Sequence, residues 1–318
     1  MSANALSTVV KAVTPYIPTI ATTINSASQL AASAKDIALR LGVNSPTVFP
    51  KFDVANRHIS FATTFFYAFS SIIGLREIGN LYNKGAATKA ETAFGVIAHG
   101  SVGVGTAIDA LQGLGDRNVV SYKLDSSAAD SSSALFAVGT AVMGGLALHS
   151  ASKAKEAIAN YEDRRTRLQN FVNAFESKGA SAPEKDVDDK KDAFETVASP
   201  AKSPYDEKGI RESRNSKNVP IKISVEQDRV SITWLTGEIT RLKASIPASY
   251  AKAAQAAFTT FAQGLIFTAK YSELLKSPML HIGAKALAAF APIAARIALG
   301  NQAVLHSSPL ASSRAAII

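Results

Sequence analysis

The sequence predicts a mainly α fold: a hydrophobic, Ala/Gly/Ser-rich helical bundle with one short β-hairpin in its C-terminal half. The first observation behind this is Ser131–Ser152, SSSALFAVGTAVMGGLALHSAS, 22 residues without charge or proline. As a helix it rises about 33 Å and is apolar nearly all the way round, so it either crosses a bilayer or forms the centre of a sizeable core. The second is that two earlier runs, His58–Leu75 and Thr92–Ile108, repeat this character. The third is that only Ile221–Leu235 carries the two-residue alternation of strands.

Four regions follow: a Ser/Thr/Ala-rich N-terminal segment, 1–50; a hydrophobic helical region ending in an amphipathic helix, 51–178; a charged linker, 179–220; and a hairpin with two long helices, 221–318. In the first region no basic leader precedes a compact apolar core, so no cleavable signal is expected. Ala21–Leu41 reads as a helix with Asn25 or Ser26 as its cap and Gly42 as its stop.

In His58–Leu75 the polar residues Ser60, Thr63, Thr64, Tyr67, Ser70 and Ser71 share one helical face, which has hydroxyls but no charge. A water-facing helix places Lys or Glu there, so this face is expected against other helices. In Thr92–Ile108 the glycines 95, 100, 103 and 105 each cost about 1 kcal/mol relative to Ala in an exposed helix but permit close approach of helices. Gly103 with Ala107 and Ser101 with Gly105 have small-xxx-small spacing. So does the ladder Ser133, Ala137, Ala141, Gly145, and the two segments are expected to pack through these faces. Asp125 to Asp130 marks a helix start.

After Lys153 the pattern changes. Ala154, Ile158, Tyr161, Arg165, Leu168, Val172 and Phe175 recur at heptad spacing, with Glu162/Arg165 and Asp163/Arg167 placed to pair outside. This suits a bundle helix or a short coiled coil. Residues 179–220 hold too few apolar side chains to offset ordering entropy and read as a mobile linker. In Ile221–Leu235, Ile221, Ile223 and Val225 alternate before Glu226–Arg229, and Val230, Ile232 and Trp234 alternate after it, predicting a hairpin with a polar turn. Pro247 is placed to open a helix ending before Pro278. Tyr250, Ala254, Ala257, Phe261, Leu265 and Thr268 are its inner face; Lys252, Gln255, Thr259, Gln263 and Lys270 are its water-facing one. The last helix, Met279–Leu299, carries His281, Lys285, Pro292 and Arg296 along one side and ends at Gly300.

Charge and chemistry narrow the function classes. The net charge is +9, yet every acidic residue lies between Asp36 and Glu273, so both ends are acid-free and apolar. That pattern favours membrane lipid, including anionic lipid at the C-terminal helix, over nucleic acid. The absence of cysteine excludes disulfides and thiolate metal sites. Gly100–Gly105 does not have dinucleotide-loop order, and no phosphate-loop, hydrolase-elbow or zinc-helix motif is present. His99 and Asp109 lie ten residues apart on different faces, and His149 sits at the boundary one turn before Lys153. The sequence therefore nominates no catalytic, cofactor-binding or metal-binding residue.

Two apolar lobes after a Ser/Thr-rich start are similar in layout to membrane-inserted effectors of intracellular bacteria. The connector between the lobes is longer than in such hairpins, and the likeness transfers no residue. The expectation is a non-enzymatic, membrane-associated anchor, structural element or interaction platform, with protein partners or self-association. The alternative is a soluble Ala-rich bundle, structural or effector-like.

Overall fold

A computed structural model describes residues 17–121, 124–180, 204–206, 208–214, 220–269, 271–300 and 303–305. It contains six α-helices: α1 (Ile17–Arg40), α2 (Val48–Asn83), α3 (Lys89–Asp116), α4 (Ser126–Ala180), α5 (Val225–Thr268) and α6 (Pro278–Leu299). A two-stranded sheet, β1 (Ile210–Arg214) and β2 (Pro220–Ser224), and a 3-10 turn at Glu273–Lys276 complete the described elements. The mainly α class with one short antiparallel sheet is thus correct.

The helix ends follow local chemistry. Gly42 and Gly300, with φ of +80° and +77°, take the left-handed backbone that closes α1 and α6. Thr88 and Glu91 form a reciprocal cap at the start of α3: Glu91 N–H donates to Thr88 Oγ1 at 3.2 Å, and Thr88 N–H donates to Glu91 Oε2 at 2.7 Å. Asp125 Oδ1 accepts from the N–H groups of Ser127 and Ala128, as expected of a helix start. α1 begins earlier than Asn25 or Ser26, so neither caps it.

Two expectations at the C-terminal half need correction. The hairpin pairs Ile210 with Ser224 and Arg211 with Ile223, so its first strand comes from the span read as linker, while residues 181–203 of that span lie outside the described residues. Val225, read as the end of the first strand, and the stretch from Glu226 onward, read as a turn and second strand, are helical. The reason is a cap that competes with strand alternation. Ser224 N–H donates to Gln227 Oε1 at 2.9 Å, Gln227 N–H donates to Ser224 Oγ at 3.2 Å, and Glu226 and Asp228 occupy the favourable first turn. Pro247, likewise, does not start a helix but lies inside α5.

The chain forms two compact units: unit 1, residues 1–154 and 244–318, and unit 2, residues 155–243. Both α4 and α5 contribute a segment to each. In unit 1, α2 packs on α3, and α1 packs on α2 and α6. Close approach of α3 and α4 is built on small residues: Gly105 of the predicted Ser101/Gly105 pair takes part, whereas the α4 residues that meet it lie off the predicted ladder. A Cβ on Gly139 would lie 2.7 Å from Ala98 O, a Cβ on Gly105 would lie 3.2 Å from Ser132 O, and Ser132 Oγ donates to Gly105 O at 3.1 Å. Gly103 instead faces Ser71 of α2, and Ala141 and Gly145 are exposed. The row that packs is therefore Ser132, Gly139, Met143 and Leu146, shifted round the helix from the predicted ladder.

In unit 2 the heptad positions Ile158, Leu168 and Val172, with Ala157 beside them, are buried, as are Leu235, Ile239 and Leu242 of α5. Arg167 pairs with Asp163 as expected, whereas Glu162 reaches Lys243 at 2.7 Å in addition to lying near Arg165. Trp234, read as part of the second strand, is on α5 with its ring 5.9 Å from that of Tyr161. The sheet is tied to α5 by Asp228, which is 2% exposed. Its carboxylate accepts from Tyr205 Oη and from Arg211, at 2.5 Å to Nε and 2.7 Å to a terminal nitrogen.

Candidate functional site: a polar cavity inside unit 1

Unit 1 has its polar groups inside and much of its apolar surface outside. Among the described residues, four helices are long and apolar enough to cross a membrane, and only 22% of the most apolar window of α2, and of α6, is buried within the protein. Phe69, Ile72, Phe94, Val104, Leu148 and Phe290 all point outward. Buried instead are Thr63, Ser70, Ser71, His99, Thr106, Thr140 and Gln255. The reversal is clearest on α5. Lys252 and Gln255, expected to face water, are 3% and 1% exposed, while Tyr250 and Phe261, expected inside, are exposed. Leu265 alone of the large apolar positions on that face is buried as expected.

The polar groups surround a cavity of about 400 Å³. Thr22, Asn25, Ser26 and Gln29 line it from α1. The face of α2 that carries Ser60, Thr63, Thr64, Tyr67, Ser70 and Ser71 forms a second wall, which is the destination of the uncharged hydroxyl face seen in the sequence. α3 contributes His99, Thr106 and Asp109; α4 contributes Phe136, Thr140 and Met143; α5 contributes Gln255, Thr259 and Gln263; and α6 contributes Lys285, Ala289 and Pro292.

His99 and Asp109 thus meet one cavity although they lie on different faces of α3. Ten residues place them about 80° apart on the helical wheel, an angle that a cavity of this width subtends.

Five of the wall hydroxyls, those of Thr63, Thr64, Ser70, Thr106 and Thr140, have a carbonyl of their own helix as acceptor. Thr63 and Thr64 both donate to Ser60 O at 2.9 Å, Ser70 donates to Phe66 O at 2.8 Å, and Thr106 donates to Val102 O at 2.9 Å. Thr140 donates within α4 or to Thr260, 2.9 Å away. A hydroxyl bonded in this way keeps lone pairs for the space in front of it, so the wall is rich in acceptors. Gln255 is committed at both ends, donating to Ala303 O at 2.6 Å and accepting from Leu305 N–H at 3.1 Å, which closes the cavity on the C-terminal side. His99 differs from these. It is 2% exposed, and among the described residues its Nε2 has no hydrogen-bond partner. Gly74 makes room for it, since a Cβ there would come within 2.2 Å of the imidazole ring.

A separate polar cluster joins α3 to α4. Glu91, 5% exposed, accepts from Lys153 Nζ at 2.5 Å and lies 3.0 Å from His149 Nε2. The sequence placed His149 and Lys153 at a helix boundary without their acid, although the Thr88/Glu91 spacing was the available signal.

The basic stripe of α6 is partly engaged within the protein. Arg296 donates to Thr23 Oγ1 at 2.7 Å, His281 lies 2.7 Å from Leu275 O, and Lys285 lines the cavity while remaining exposed. Among the described residues, no group of three or more His, Asp or Glu is placed to hold a metal ion. No family model, curated protein or solved structure matches this chain.

Proposed function

We propose that this chain is a helical membrane protein, embedded in lipid through unit 1, that works as an anchor and interaction platform rather than as a catalyst. The observation that carries the reading is the reversed polarity of α5 and its neighbours: amide, hydroxyl and ammonium groups face inward while Phe261, Phe290 and Phe69 face outward. In water this arrangement gives up the burial of large side chains, each worth about 1.5–3 kcal/mol; in lipid the outer positions lose nothing. Lipid is therefore the first partner, met along the apolar outer side of α6 at Met279, Leu287, Phe290 and Ile297 rather than along its basic stripe. Unit 2, with a charged exterior, is the part that meets protein partners.

Carbonate and high-salt washing of membranes from cells expressing the full chain tests this. The protein is expected to stay in the pellet. Release into the supernatant, together with a monodisperse preparation free of detergent, would replace the membrane reading with that of a soluble Ala-rich bundle.

A further inference from the structure

We infer that the cavity of unit 1 is a binding site for a small, net-neutral, polyhydroxylated solute of monosaccharide or cyclitol size. The inference concerns the cavity's chemistry and holds whether lipid or water surrounds the bundle. Its volume, about 400 Å³, is within the range of roughly 300–1,000 Å³ typical of ligand sites.

Three features select the class. The deep wall is made of neutral groups whose hydroxyls present acceptors, which a ligand with several O–H donors satisfies without bringing in a charge. The two charged lining residues, half-buried Asp109 and exposed Lys285, have opposite signs, so a charged solute of either sign meets one attractive and one repulsive group. Apolar positions between the polar ones, among them Val102, Phe136 and Met143, suit the C–H face of a ring. The orphaned Nε2 of His99 points to the same conclusion independently. A buried polar atom without a partner is unfavourable, and a ligand hydroxyl in the cavity satisfies the imidazole nitrogen in either tautomer.

The test uses the full chain in an amine-oxide detergent, because maltoside detergents carry sugar headgroups. Thermal unfolding is followed against increasing myo-inositol, sorbitol and glucose, with glycine betaine, putrescine and phosphate as charged or zwitterionic comparisons. Saturable stabilisation at millimolar polyol, lowered at least tenfold in apparent affinity by His99→Phe and by Gln263→Leu, is expected. Gln263 is only partly buried, so its substitution keeps the test valid should His99→Phe fold poorly. A lipid headgroup is the other source of the same chemistry. A melting point higher in phosphatidylinositol nanodiscs than in phosphatidylcholine nanodiscs, and insensitive to further free inositol, assigns the polyol to that headgroup. The inference is overturned by stabilisation that rises linearly to molar polyol and is equal in the variants, which is the non-specific osmolyte effect. It is equally overturned by saturable binding of the charged solutes alone.

Discussion

Along the same two helices, α4 and α5, the protein packs in two opposite ways. In unit 2, Leu168, Val172, Leu235 and Ile239 are buried, and Lys155, Asp163, Arg164, Arg167 and Arg241 are outside. In unit 1, Thr140, Lys252 and Gln255 are buried, and Val138, Leu148, Tyr250 and Phe261 are outside. The first arrangement is driven by removing hydrocarbon from water. The second also buries apolar side chains, Met143, Leu146 and Leu265 among them, but adds close approach at Gly139 and Gly105, hydroxyl-to-carbonyl bonds and the Glu91–Lys153 pair. The proposed change of solvent along one helix would account for both.

The largest effect that would sharpen this comparison lies in unit 2. Asp228→Ala leaves buried Tyr205 and largely buried Arg211 without their acceptor, and breaking such a pair costs about 3–5 kcal/mol. Trp234, the single tryptophan, is in unit 2, so its fluorescence is expected to report an earlier transition while the membrane-pellet fraction is unchanged. Next comes the outer face of unit 1. Phe290→Lys places a charge where lipid is proposed, at about 2.5–3.5 kcal/mol on insertion scales, and should lower the pelleted fraction in an insertion assay. Full retention of insertion would break the comparison. A smaller loss, about 1–3 kcal/mol, is expected from Gly139→Val, whose side chain would strike Ala98 O and Val102; thermal unfolding of the full chain measures it.

The smallest effects are those of pH on unit 2. Burial by itself pushes the Asp228 carboxyl up, but the Arg211 guanidinium and Tyr205 hydroxyl hold it below its ordinary 3.8. A depressed acid stabilises fully above its unfolded pKa, so Trp234 fluorescence should show stability lost as pH falls below about 4 through the folded value. Burial and the neighbouring Asp228 carboxylate push Tyr205 up from 10.0 to about 12, so its contribution is complete below pH 10 and is lost as pH rises through about 12. Asp228→Asn should flatten the acid limb.

Much of the candidate site was legible, though its meaning was not. The hydroxyl face of α2 was visible from spacing alone, because a helix fixes which residues share a side. Its partners were not visible, since Asn25, His99, Thr259 and Lys285 come from four other helices and local periodicity carries no information about which helices adjoin. The polar face of α5 was equally plain, and was assigned to water because polar-outward is the rule for soluble helices. Packing reversed it. Only one strand of the predicted hairpin was placed: the run at Ile221 is its second strand, not its first, and the Ser224/Gln227 cap competed with strand alternation for Val230–Trp234, where the cap with its first-turn acids matched the helix.

By itself the sequence determined the helical class, the apolar runs, the glycine stops at 42 and 300, and the heptad seam after Lys153, because each depends on residues within one or two turns of one another. Tertiary structure alone decided which face of α5 is inner, that Gly139 rather than the predicted ladder brings α4 against α3, and that His99 and Asp109 border one space. Those outcomes depend on which distant segments meet and on the solvent outside them, and a helix with two usable faces turns toward whichever partner the assembled bundle offers.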